Sequence, residues 1–319
     1  MCFILADIYN YGLLTISTTM FGLMFFFNDM FRKHYGSGLQ ATLVNTFGAG
    51  TFGLISLLII KGFVFEFSWF ALLMSMISAI NGFAFSYCSL KALGKINLSL
   101  YSLFSMLGGM ALPFVYGILF SSDAFTLGKA VCFIIITIAL LLTVEKDEKG
   151  SGKIYYAGVF IFNGMSGVIA AIFSAVNGND NLNIGKISSA GFSILKSIVS
   201  IVFAGVVLLI IKKEKRKLGI KTIVAMAGSG ALGNIANWIL LIPLSTTLIT
   251  FGSVSLGGLP ASAQYPFITG GTMIVSTIIS LFAAKKPTAK ELIAVILAFV
   301  GVVLLIALPE IELFTINWN

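Results

Sequence analysis

The chain of 319 residues is 58% hydrophobic and only 10% charged, and its formal net charge is +8. Soluble domains carry about 25% charged residues, so this composition excludes a water-facing globular surface and predicts that lipid covers most of the protein. The basic excess lies in short loops between apolar segments, which indicates orientation in a membrane and argues against a nucleic-acid partner.

The apolar segments predict helices that cross a membrane. Each is continuously apolar over about 18–25 residues, the length that a helix needs to cross the hydrocarbon core, whereas strands of a membrane barrel would alternate polar and apolar residues. We therefore predict an all-α integral membrane protein with ten transmembrane helices. The predicted spans are 8–31, 38–61, 68–91, 96–119, 126–144, 154–176, 188–211, 222–243, 261–283 and 290–308.

An internal repeat divides the ten spans into two halves. Leu-Leu-Ile-Ile-Lys occurs at Leu57–Lys61 and again, 151 residues later, at Leu208–Lys212. Because each half contains five spans, the second half starts from the opposite side of the membrane, and the repeat is inverted. The predicted halves are 1–149 and 150–319, which together form one membrane domain. Further matches pair Gly82 with Gly233, Tyr87 with Trp238, Gly108 with Gly270, and Thr126 with Thr288.

The lysines and arginines predict an orientation. With ten spans, nearly all of them lie in loops on one face of the membrane, and the exceptions are Lys61, Lys129 and Lys186 on the other face and Lys196 within a span. Cytoplasmic loops are enriched in these residues. We therefore expect a multi-pass protein of the cell membrane whose two termini lie outside the cytoplasm.

Weak glycine and aromatic patterns run along most of the chain. They include Phe21–Phe25 in the first span, Gly82–Tyr87 in the third and Thr288–Ile306 in the last. With the length and the repeat, these residues resemble the drug/metabolite transporter superfamily in its ten-helix, EamA-like branch. The resemblance implies a secondary transporter of a small metabolite, which holds its substrate in a cavity between the halves and works by alternating access.

The chain departs from that family at two points. The family often has a Gly-Glu pair before its fifth and tenth helices, where this chain reads Ser121–Asp123 and Ala284–Lys286. The family also usually keeps its termini in the cytoplasm, whereas the charge distribution of this chain predicts the reverse.

Polar side chains within the spans are the candidate substrate ligands. Placing a polar group inside a membrane costs free energy, so such a group is expected to have a functional or structural role. Asparagine and glutamine offer both donors and acceptors to a zwitterionic or hydroxylated substrate, and tyrosine and tryptophan could surround an organic cation. The alternative is that these residues only bridge helices. The candidates are Asn81, Tyr87, Tyr101, Ser102, Ser105, Asn163, Ser166, Asn234, Asn237, Trp238, Gln264, Tyr265 and Thr269.

Two charged residues within spans allow two interpretations each. Lys196 could meet an acidic group of the substrate, or its long stem could carry the ammonium group to the nearer interface. Asp29 could be a coupling carboxylate, or it could form a local ion pair with Arg32 or Lys33. The repeat pairs Lys196 with Asn45.

The connection between spans eight and nine also allows two interpretations. Residues 245–260 are small, apolar and uncharged, and glycines and Pro260 interrupt helix here. The segment could be a gate that is partly re-entrant, or a longer loop between extended helix ends.

Two other function classes compete with transport. A membrane-embedded enzyme usually shows clustered His, Asp, Glu or Cys residues, and the sequence shows no such set, so we expect no catalytic residues, metal or cofactor. A non-transporting scaffold or sensor would not need polar residues in both halves. The partners that we expect are a small-molecule substrate and the lipid bilayer, with the protein acting as a monomer.

Overall fold

The fold, taken from a computed structural model, is built from ten helices and four short strands in the part of the chain that the structure describes. That part comprises residues 2–94, 98–121, 123–142, 153–179, 181–182, 185–211, 218–244, 249–251, 254–256, 258–281, 288–308 and 311–315. The helices are α1 Cys2–Tyr35, α2 Leu39–Lys61, α3 Trp69–Leu93, α4 Leu98–Phe120, α5 Leu127–Leu142, α6 Lys153–Asn177, α7 Ser189–Ile210, α8 Ile220–Leu244, α9 Ala261–Leu281 and α10 Ala289–Ala307.

Six of these helices are long and apolar enough to cross a membrane, namely α1, α2, α3, α6, α7 and α8. Their outer surfaces carry large apolar side chains, among them Trp69, Ile154 and Leu209, which are each at least 75% exposed. Contiguous apolar surface of this kind is stable only against lipid. The protein is therefore a helical membrane protein.

The first helix is longer than the predicted span 8–31, because it continues through Arg32, Lys33 and His34 to Tyr35. Basic residues in the last turn interact favourably with the negative end of the helix dipole, so these charges extend the helix. The second helix stops at Gly62, which adopts a left-handed conformation with φ 69° and donates its N–H to the carbonyl of Ile59.

Helices from the two predicted halves pack against one another throughout the molecule. The main contacts are α1 with α8 and α9, α2 with α7 and α8, α3 with α6 and α7, α4 with α6 and α9, and α5 with α10. Glycines allow the closest approaches. A methyl group added at Gly108 of α4 would overlap the backbone of Phe160 in α6, and one at Gly230 of α8 would overlap the backbone of Ala49 in α2.

The strands form two small antiparallel pairs at one side of the helices. Strand β1 (Phe125–Thr126) pairs with β4 (Glu312–Phe314), and β2 (Ile249–Phe251) pairs with β3 (Val254–Leu256). The second pair lies in the segment predicted as either a gate or a loop. The hairpin was not predicted, and strand β3 packs against α1. Residues 245–248, 252–253 and 257 of that segment lie outside the described residues.

Two carboxylates join the predicted halves on the side where the even-numbered helices end, which we call the Glu66 face. Between α2 and α3, Glu66 forms an ion pair with Lys61 at 2.7 Å and accepts hydrogen bonds from the backbone N–H and the hydroxyl of Ser188 at the start of α7. After α4, Asp123 accepts a hydrogen bond of 3.1 Å from the backbone N–H of Ser262 at the start of α9. We call these two contacts the carboxylate clamps.

The Glu66 clamp predicts how stability depends on pH. Burial raises the pKa of Glu66, but the donors of Lys61 and Ser188 outweigh it and hold the pKa below its ordinary value of 4.5. A lowered pKa stabilises the fold at pH above the unfolded-state value, and this stabilisation is lost as pH falls through the folded-state value. Glu66→Gln should therefore lower the free energy of unfolding by about 1–3 kcal/mol at pH 7.

Chemical unfolding of the detergent-solubilised protein at several pH values measures this effect. The difference between wild type and Glu66→Gln should shrink as pH falls below about 4.5, whereas Glu312→Gln, at an exposed carboxylate, should match wild type throughout. A difference for Glu66→Gln that stays the same at all pH values would contradict the clamp.

Candidate functional site

A central cavity of about 280 Å³ lies between the two predicted halves. Its wall is formed by α1, α2, α3 and α4 from the first half and by α6, α7, α8 and α9 from the second. The volume is close to the lower end of the range of about 300–1,000 Å³ found for small-molecule sites. Aromatic residues of α1 and α3, including Phe21, Phe25 and Phe83, supply part of an apolar wall.

The polar part of the wall is centred on α8. Asn234 and Asn237 are three residues apart and therefore share one face of that helix, and both line the cavity. The amide of Asn234 is held in one orientation, because its Oδ1 accepts a hydrogen bond of 2.8 Å from the hydroxyl of Ser197 and its Nδ2 donates to the carbonyl of Gly230 at 3.0 Å. The Nδ2 of Asn237 donates to the carbonyl of Gly233 at 2.8 Å.

Lys196 of α7 lies on the same wall, beside Asn234 and Asn237. It stands seven residues after the first residue of α7 and fourteen before the last, so it lies about two turns inside the helix from the Glu66 face. It lines the cavity, as the interpretation in which it meets an acidic group of the substrate requires. The ion pairs among the described residues involve Asp29 and Glu66, and Lys196 belongs to neither.

Four further predicted residues line the cavity from α6 and α9. Asn163 donates to the carbonyl of Ser105 in α4, and Ser166 accepts a hydrogen bond from Asn81 of α3. Tyr265 donates its hydroxyl to the carbonyl of Gly167 at 3.0 Å, and Thr269 donates to the carbonyl of Met106 at 3.3 Å. The cavity thus brings together seven predicted residues, which are Asn163, Ser166, Lys196, Asn234, Asn237, Tyr265 and Thr269.

Four other predicted residues lie behind the wall and do not line it. Asn81 donates to the carbonyl of Phe162 and to Ser166, both at 2.8 Å. The hydroxyl of Tyr101 donates to Ser89 at 2.9 Å, and Gln264, which is fully buried, donates to the carbonyl of Leu240 at 2.7 Å. The side chains of these three residues bridge helices. Ser105 is also fully buried, and Asn163 binds its backbone carbonyl, so that contact does not depend on the serine side chain.

The remaining predicted residues lie elsewhere. Tyr87 lies on a different side of α3 from the residues that line the cavity, and its ring contacts that of Tyr155. Trp238 does not line the cavity either. Of the aromatic residues predicted as ligands, Tyr265 lines the cavity, whereas Tyr87 and Trp238 do not. Asp29 pairs with Arg32 at 2.9 Å and with Lys33 at 2.6 Å, off the cavity. The side chain of Ser102 lies outside the described residues.

Sequence reasoning missed several small polar residues in the wall. Ser200 follows Lys196 by four residues and Ser197 by three, and these helical spacings could have marked both serines. On α1 and α2, Asn28 lies near Asn45, the repeat partner of Lys196. The other missed polar residues in the wall are Thr46, Ser78, Ser86, Ser229 and Thr272. Among the described residues, no group of three His, Cys, Asp or Glu side chains could hold a metal ion.

Comparison with known proteins gives a likeness of fold. No family model matches the chain, and no curated protein matches it. Among solved structures, the chain is similar to a crystal structure described only as that of a protein, with a TM-score of 0.65 and 11% sequence identity over 93% of this chain and 99% of the other. At this identity the likeness shows the fold alone, and it extends over nearly the whole of both chains.

Two asparagines that were both predicted as ligands should now behave differently. Asn81→Leu removes a donor that joins α3 to α6, so it should lower the free energy of unfolding by about 1–3 kcal/mol. Asn237→Leu removes a side chain that donates to the carbonyl of Gly233 in its own helix, so the stability of this variant should stay within about 0.5 kcal/mol of wild type. Chemical unfolding in detergent compares them directly, and equal losses would contradict the distinction between bridging and cavity-facing asparagines.

Proposed function

We propose that the protein is a secondary transporter that moves a small polar metabolite across the cell membrane. The observation that carries this proposal is the central cavity, which is lined by four helices from each half and whose wall contains a lysine and several amides well inside the apolar helices. Polar and ionisable residues at this depth are costly and commonly mark a transport pathway. A scaffold has no need of such a cavity.

The packing of the helices supports an inverted repeat of five plus five spans. If α1–α5 are exchanged with α6–α10 in order, the pair α1 and α8 becomes α6 and α3, and both pairs pack. The pair α4 and α6 likewise becomes α9 and α1, and α2 and α8 becomes α7 and α3. The pairs α2 with α7, α4 with α9 and α5 with α10 exchange with themselves. Substrate sites of inverted-repeat transporters lie at the repeat interface near the midplane, where this cavity lies.

The same arrangement agrees with the resemblance to the ten-helix, EamA-like branch of the drug/metabolite transporters. In that scheme the halves rock around the bound substrate, and the cavity opens to one side at a time. Asp29 is already paired with Arg32 and Lys33, so we do not propose it as the coupling carboxylate. Each chain holds both halves, and a monomer is therefore sufficient for the cycle.

The carboxylate clamps fit the closed side of such a cycle. Glu66 and Asp123 belong to the first half, and each holds the first turn of a helix of the second half, α7 or α9. At the opposite, basic face, the ion pairs among the described residues lie within α1. We propose that this conformation is closed at the Glu66 face, and that both clamps break when the cavity opens there.

Cysteine accessibility tests alternating access without knowledge of the substrate. Ser200 lines the cavity, whereas Ala204, one turn further along α7, is fully buried and does not. In a background with Cys2, Cys88 and Cys132 replaced by Ala, Ser200→Cys should react with a membrane-impermeant thiol reagent from both sides of oriented vesicles. Ala204→Cys should react from neither side and serves as the matched control.

Breaking a clamp should shift this labelling in opposite directions at the two faces. Adding Glu66→Gln should speed the reaction of Ser200→Cys from the Glu66 face and slow it from the basic face, because the open conformations exclude each other. A permanently open channel would show no such reciprocity. Reaction of Ser200→Cys from one face only, with or without Glu66→Gln, would contradict alternating access.

A further inference from the structure

We infer that the central cavity selects a monocarboxylate, whose carboxylate pairs with Lys196 while its neutral polar groups bind the asparagines of the wall. This inference rests on the proposed transport function and adds the class of substrate. It starts from the charges of the eight helices that form the wall. Seven of them, α2–α4 and α6–α9, contain no Asp or Glu at all.

The remaining wall helix, α1, contains two acidic residues. Asp29 is already paired with Arg32 and Lys33, and Asp7 stands 22 residues before it, near the start of the helix, with a side chain outside the described residues. The other basic residues of the eight helices lie near helix ends. Lys196 is therefore the basic residue that lies well inside its helix, and the described wall offers it no carboxylate.

An unpaired ammonium group among apolar membrane helices is costly. Burial of a charge is tolerated when an opposite charge and hydrogen bonds compensate it. A carboxylate bound beside Lys196 supplies that compensation. An organic cation would add a second positive charge with no carboxylate to meet it, so the cavity disfavours amines.

The number of charges limits the ligand further. One lysine balances one negative charge, whereas a dicarboxylate or a phosphate monoester would bring a second charge that the described wall leaves unpaired. An amino acid would leave its ammonium group unpaired for the same reason. These charges favour a ligand with a net charge of −1 over zwitterions and dianions.

The neutral groups of the wall define the rest of the ligand. The amide of Asn234 has a fixed orientation, with one Nδ2 hydrogen bonded to Gly230, so its second N–H can donate to an oxygen of the ligand. Asn237 lies one turn further along α8 and keeps its Oδ1 for a hydroxyl or amide donor. Phe21 and Phe25 of α1, which also line the cavity, favour an apolar portion. A 2-hydroxy acid or an N-acyl amino acid has all three features.

Matched acid and amide pairs test the charge requirement. Thermal melting of the purified, detergent-solubilised protein is followed with lactate, 2-hydroxy-4-methylpentanoate and N-acetylalanine, each compared with its primary amide. At least one acid should stabilise the protein with an apparent Kd about tenfold or more below that of its amide, as expected for a charge-assisted interaction. Succinate, alanine and choline, which represent the dianion, the zwitterion and the cation, should stabilise it less than that acid.

Substitutions of Lys196 assign the effect to this residue. Lys196→Gln should abolish the preference for acid over amide, and Lys196→Arg should keep it. Lys221→Gln, which removes an exposed basic residue of α8, should bind as wild type does. Stronger stabilisation by an amide or by choline, stabilisation by none of the three acids, or an acid preference that survives Lys196→Gln would each overturn the inference.

The outcome remains distinct from that of the transport proposal. Thermal melting reports which ligand the cavity binds, whereas the labelling of Ser200→Cys reports whether the cavity opens to both sides. If Ser200→Cys reacts from both sides but no acid stabilises the protein more than its amide, the protein is a transporter of another substrate class. If Ser200→Cys reacts from one side only and an acid is clearly preferred, the protein binds a carboxylate but does not transport it.

Discussion

The cost of placing a charge in hydrocarbon is the constraint on which the rest of this structure depends. A lysine in the middle of an apolar helix can be kept only if its helix turns it away from lipid and toward other helices. α7 does this with Lys196, because the same face of the helix carries Ser197 and Ser200 while Leu209 and Val202 face outward. The cavity is the space that eight helices leave around this polar face.

The close approach of the helices follows from a second property of the chain, its glycines. At Gly108 and Gly230 the backbones of α4 and α8 come so near to α6 and α2 that no side chain fits between them. Small residues at such crossings let membrane helices pack where there is no hydrophobic driving force between them. Both crossings join the predicted halves, so the glycines place the halves in direct contact around the cavity.

The two faces of the molecule differ in how the halves are joined. At the Glu66 face, hydrogen bonds from the first turns of α7 and α9 hold carboxylates of the other half, which suits the positive end of a helix dipole. These contacts are few and polar, so breaking them costs little compared with separating the packed helices. The carboxylate clamps are therefore strong enough to stabilise one conformation and weak enough to break, as the proposed transport cycle requires.

Much of this arrangement could be predicted from the sequence, because apolar length and charge are strong local signals. They indicated ten helices, and the polar residues on α8 and Lys196 on α7 were found by their cost in lipid. On a helix that is apolar on all sides, however, the sequence does not indicate which way a given side chain points. Asn81 and Gln264 were therefore indistinguishable from Asn237 until their partners on other helices were seen. The β2–β3 hairpin was missed although Gly252-Ser253 is a two-residue turn signal between two strand-forming runs, because the glycines of this segment were interpreted only as helix breakers.

The central claim is that the two halves move as units around the cavity, and distances between spin labels at both faces test it most directly. One pair of labels, at Phe63 and Leu182, reports the Glu66 face, and another, at Leu39 and Ile220, reports the basic face; all four side chains are exposed. The account predicts two distance populations for each pair, with Glu66→Gln increasing the long distance at the Glu66 face and the short distance at the basic face. A single, unchanged distance at either face would contradict it.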